Sequence, residues 1–216
     1  MLFRSMFCQD NEEEIIVDYF NNKKNGFVVE IGAVDGLINS NSRFLISNLN
    51  WSGLLVEPNP FSYDLLKNLY HDNANIKLQN IAIFNKEEDN IKFHIYGEDL
   101  IDSQGSTIST IFKERATTQT GDKYNKTILV KSKTLKNLFI ENNILSKFDF
   151  LSIDCEGVDY EVLESNDWTM FRPNLICVEN SLNVNKVELL LKNNDYIIFK
   201  KTKDQGNTFY RDNRCY

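Results

Sequence analysis

The stretch that decides the fold is FVVEIGAVDG, residues 27–36. Three apolar β-formers run into Glu30, then Gly32, then Asp35 and Gly36. This reads as a buried strand over 27–32 that stops at a glycine-rich turn. In α/β folds such a turn borders a nucleotide-like ligand, and glycine there lets the backbone come close to it.

Working outward, similar apolar runs recur at 53–57 (GLLVE), 76–84 (IKLQNIAIF), 148–154 (FDFLSID) and 174–179 (NLICVE). Between them lie segments with helical spacing. These are 12–22, 42–49 with Asn41 or Ser42 as its cap, 60–70 opening on Pro60, 134–143, 161–165 and 183–193. Residues 90–96 alternate polar and apolar and read as an edge strand, and 127–133 as a further strand. Residues 195–200 and 207–211 predict a closing antiparallel hairpin. Strands with continuous apolar character, alternating with helices, imply a parallel sheet covered on both faces. The expected fold is α/β, a doubly wound, mostly parallel sheet with a terminal antiparallel strand.

The 216 residues fit one domain spanning 1–216. Residues 1–25 read as an N-terminal helical extension, and 97–121, rich in Gly, Ser, Thr and charge, as a lid insertion. A net charge of -7 argues against a nucleic-acid partner. No apolar run reaches the roughly 18 residues of a membrane span. The first residues carry no secretory pattern, and the four cysteines show no metal-type spacing. Cys155 and Cys177 fall in apolar runs and are expected to be core thiols. Together these imply a cytoplasmic protein. The oligomeric state stays open.

Four predicted strands end on acids: Glu30, Glu57, Asp154 and Glu179. Ligands of open parallel sheets bind beyond these carboxyl ends, so the acids are expected to face the ligand. Val34 stands where a dinucleotide fingerprint has its second glycine, which argues against a pyrophosphate. A carboxylate at Glu57 suits both hydroxyls of a ribose. A ribose without a pyrophosphate points to S-adenosylmethionine, with Glu30 and Asp35 at its cationic amino end. Asp154, Glu156 and Glu179 also have the chemistry of a Mg²⁺ or Ca²⁺ site, although a metal is not expected. His71 and His94 read as exposed or structural.

The segments VVEIGAVDGLINSNS, GLLVEPNP, LQNIAIF, KTLKNLF and FLSIDCEGVDYEVLES, in this order, resemble the FkbM family of S-adenosylmethionine-dependent methyltransferases. SMFCQD, residues 5–10, is similar to a Ser-Gln-x-x-Gln-Asp segment of one branch, with Met6 in place of the first Gln. The resemblance implies a Rossmann-like class I methyltransferase acting on an oxygen, with a small-molecule or glycan acceptor. It places Glu30, Gly32, Ala33 and Asp35 at the methionine and ribose. It places Glu57 and Pro58 at the ribose and adenine edge, and Asn80, Ile81 and Ala82 at the adenine. Asp154 and Glu156 are the candidate reacting centre, with Asp154 also against the cofactor. Gln9, Asp10, Glu179 and Ser106 are the candidate acceptor contacts. The competing class is a non-catalytic nucleotide-binding or scaffold protein of the same fold.

Overall fold

The computed structural model describes residues 7–96, 109–111, 124–180 and 183–215. Its frame is a seven-stranded sheet of order β10-β11-β9-β8-β1-β2-β3. The strands are β1 (Phe27–Ile31), β2 (Ser52–Val56), β3 (Ile76–Gln79), β8 (Lys147–Ile153), β9 (Arg172–Glu179), β10 (Tyr196–Lys201) and β11 (Asn207–Asp212). The pairs β1–β2, β1–β8, β2–β3 and β8–β9 are parallel. β11 runs antiparallel to both β9 and β10. The expected antiparallel strand is therefore present, inserted next to the edge strand rather than forming the edge.

The helices are α1 (Glu12–Tyr19), α2 (Arg43–Leu49), α3 (Pro60–Leu69), α4 (Leu135–Glu141), α5 (Asp159–Glu164) and α6 (Val184–Asn193). Strand alternation sends successive side chains to opposite faces. Val28, Leu55, Phe150 and Leu175 bury against α1–α3, whereas Val29, Leu54, Leu151 and Ile176 bury against α4–α6. This two-sided burial is why these strands read as unbroken apolar runs. α1 is part of the core and not an appendage: Ile15 and Ile16 are fully buried. α3 begins as the sequence implies, with the Asn59 side chain accepting from the Phe61 amide and Pro60 in the first turn.

Two expectations fail beyond β3. The run 76–84 is not one strand. It splits into β3 and a short β4 (Ala82–Ile83), which belongs to a second sheet of order β4-β7-β5-β6. At the break, the Asn80 side-chain amide donates to the carbonyls of Glu57 and Pro58, which turns the chain away from β3. Residues 90–96 form part of β5 (Glu88–Tyr96), which is not an edge strand. It lies between β7 (Tyr124–Lys133) and β6 (Ser109–Thr110). The proposed lid, 97–121, falls outside the described residues except for Ser109–Ile111.

A buried ion pair ties the far end together. Arg172 donates through Nε and Nη2 to the two carboxylate oxygens of Asp212, at 2.8 and 2.6 Å. Its guanidinium also lies over the Tyr196 ring. This joins the start of β9 to the antiparallel hairpin.

Candidate active site

At the carboxyl ends of β1, β2, β8 and β9 lies a cleft of about 310 Å³. Its walls include the turn Gly32–Val34, Glu57 and Pro58, Ile81–Ile83, Asp154–Glu156 and Glu179. This is where an open parallel sheet places its ligand. Of the candidates read from sequence, Gln9, Gly32, Ala33, Glu57, Pro58, Ile81, Ala82, Asp154, Glu156 and Glu179 meet here.

Glu30, Asp35, Asn80 and Asp10 do not line the cleft. Glu30 is the fourth residue of β1 and faces α2, not the ligand. Its carboxylate accepts from the hydroxyls of Ser40 (3.0 Å) and Ser42 (2.6 Å) and from the Asn41 amide (2.8 Å). It thereby ties the loop after β1 to the sheet. Ser42 does stand at the N-cap of α2, but its side chain caps nothing because Glu30 takes it; the Ser40 hydroxyl accepts from the Arg43 amide instead. Asp35 accepts from the Leu37 and Ile38 amides and so shapes the same loop. Asp10 holds the Asp204 amide at the hairpin tip. Ser106 lies outside the described residues.

The glycine at 32 has a different reason from the one expected. A Cβ there would stand 1.8 Å from the carbonyl oxygen of Asp154, and its φ is +87°. The required close approach is between β1 and β8, so the neighbouring chain excludes a side chain. Two non-glycine residues beside the cleft, Val34 and Glu156, also hold left-handed backbones, at φ +48° and +50°. Such conformations cost roughly 1–3 kcal/mol each and gather at functional sites.

Both strained residues are braced by buried carboxylates. Glu57 accepts from the Val34 amide at 2.9 Å and from the Asn59 amide at 2.7 Å. Burial pushes its carboxyl up to about 7 against the pull of those two amides, and the Asp154 and Asp35 carboxylates add to the rise. The proton affinities of Asp154 and Glu156 both rise. For Asp154 the cause is burial first, then repulsion from Asp159 and Glu30. For Glu156 it is burial, then repulsion from Asp154 and Asp159. A carboxyl raised in this way is matched to proton exchange near neutral pH.

Several cleft residues escaped the sequence reading. Val34, Ile38, Asn39 and Ser40 belong to the loop whose course is set by Glu30 and Asp35, and no periodicity signals that. Ile83, Phe93 and Ile111 come from the second sheet. Cys155 lines the cleft, while Cys177 is the core thiol expected. Among the described residues, no group of three or more His, Cys, Asp or Glu is arranged to hold a metal ion. No helix among them is long and apolar enough to cross a membrane.

The family model of the Methyltransferase FkbM domain matches residues 30–198. The chain belongs to the FkbM methyltransferase family. That match takes in β2, β8 and β9 whole and the end of β1 that borders the cleft. Among solved structures, methyltransferase FkbM from Methylobacillus flagellatus KT aligns with TM-score 0.50 and 16% identity over 87% of this chain. This FkbM chain spans only 43% of that protein's length. M. capricolum TrmK, solved with S-adenosyl-homocysteine, aligns with TM-score 0.52 and 13% identity, over 97% of this chain and 70% of that one. At these identities the two structures establish the shared Rossmann-like class I fold. No curated protein matches the sequence.

Proposed function

We propose that this FkbM-family chain binds S-adenosylmethionine and methylates an oxygen, the hydroxyl of a sugar, a glycan or a small natural product. The observation that carries this reading is the pair Asp154 and Glu156, half-buried acids with raised proton affinity in the same cleft as Glu57 and the 32–34 turn.

The residues present fit such a cofactor. Each Glu57 oxygen accepts one backbone amide and keeps a free lone-pair site for a ribose hydroxyl. Pro58, Ile81 and Ala82 give an apolar wall for a flat ring. The acids, crowded and poorly solvated, gain from a cationic ligand. When bound, S-adenosylmethionine supplies an electrophilic methyl group on a sulfonium.

In this reading Glu57 holds the ribose, Asp154 faces the sulfonium, and Glu156 accepts the proton of the acceptor hydroxyl. Glu30, Asp35 and Asn80 work from behind, by fixing the loops that form the walls. Gln9 and Glu179 border the space left for the acceptor. Most of the rate gain comes from alignment of acceptor and methyl.

The test is transfer of labelled methyl from S-adenosylmethionine to a panel of hydroxyl compounds. Label in a base-stable ether, with turnover reduced at least about 100-fold by Glu156→Gln, is the expected result. Label in a base-labile ester or an amine contradicts oxygen transfer to a hydroxyl.

A further inference from the structure

Asp159 is the first residue of α5 and is fully buried. It lies beside the cleft without lining it. Its Oδ1 accepts from the Cys155 amide at 2.9 Å and its Oδ2 from the Gly157 amide at 3.2 Å. These two amides flank Glu156, the residue held at φ +50°, and Gly157 itself sits at +93°. A left-handed residue between two flexible amides would fall back to a commoner conformation unless both sides were tied. We infer that Asp159 is a positioning residue for the reacting centre: one carboxylate grips the peptide on both sides of Glu156 and so aims that side chain into the cleft. This rests on the function proposed above for Glu156.

The same device serves the opposite wall, where Glu57 ties the amide of left-handed Val34. Asp159 does a second job through its charge. It repels both Asp154 and Glu156 and so favours their protonated forms. The other acids acting on this pair are Glu30 from β1, Glu12 from α1 and Glu57 after β2, whose charges repel that of Asp154, and Asp154 itself, which repels Glu156. Glu57 and Glu179 act on Cys155 between them.

Asp159→Asn keeps the shape, removes the charge and turns one acceptor oxygen into a donor. Two readouts test it: amide hydrogen exchange at Cys155 and Gly157, and the affinity for S-adenosylmethionine between pH 5 and 9. A cation binds better as the acids ionise, so wild-type affinity rises with pH. In Asp159→Asn the two amides are expected to exchange at least ten-fold faster, and the midpoint of the affinity rise to move to lower pH. Asp159→Ser, which keeps one acceptor, replaces it if the asparagine variant does not fold. Wild-type exchange rates together with an unshifted midpoint overturn the role. If the wild type binds no S-adenosylmethionine at any pH, the proposed function fails, and the exchange rates alone then decide whether Asp159 grips the turn.

Discussion

Gly32→Ala is the sharpest test of how the cleft is built. The added Cβ would sit 1.8 Å from the Asp154 carbonyl oxygen, and a backbone atom of a central strand cannot swing aside as a flexible side chain can. The alanine must also hold φ +87°, at about 1–2 kcal/mol for an L-residue. Forcing β1 and β8 apart adds about 1–3 kcal/mol, as overpacking does in a closed core. The sum is about 2–5 kcal/mol. For a chain of this size that lowers the melting temperature by about 4–20 °C, at roughly 2–4 °C per kcal/mol. Urea unfolding with Gly206→Ala as control measures it. At Gly206 the nearest atoms are the tip of the Asp204 side chain, at 3.1 Å, so the control should change by less than about 0.5 kcal/mol. A Gly32→Ala variant as stable as that control would refute the close approach of the two strands.

Two further outcomes follow from buried carboxylates. Glu57 has a folded-state pKa of about 7 against an ordinary 4.5, so its contribution to stability is complete below pH 4.5 and lost as pH rises through 7. Wild-type stability should therefore fall from about pH 4.5 to pH 8 by up to about 3 kcal/mol more than that of Glu57→Gln, read by urea unfolding at both pH values; equal slopes would count against a buried, titrating Glu57. Asp212→Ala strands the Arg172 guanidinium in the core and should cost about 3–5 kcal/mol, whereas a loss under 1 kcal/mol would mean that water reaches the pair.

The parallel core was legible because strands buried on both faces have no polar side: the runs 27–32, 53–57, 148–154 and 174–179 announce themselves. The closing hairpin was legible from the turn between two short apolar runs. The second sheet was not, because apolar character says that a residue is buried but not in which sheet. The turn at Asn80 depends on carbonyls of Glu57 and Pro58, more than twenty residues earlier. The acids at the strand ends were found, yet their division of labour was hidden. Glu30 looks like its fellows until its parity along β1 places it against α2. Left-handed Val34 and Glu156 leave no mark in the sequence. Asp159 does leave one, an Asp just after a glycine turn at a helix start, and its two amide partners explain it.

The central claim is that the cleft between Glu57 and Asp154 holds S-adenosylmethionine. Calorimetric titration of the cofactor into the wild type and into Glu57→Ala tests it most directly. Saturable one-to-one binding that Glu57→Ala weakens by about 1–3 kcal/mol, the value of hydrogen bonds to a charged acceptor, is the predicted result. No binding by a folded wild type, or equal affinity in both proteins, would contradict it.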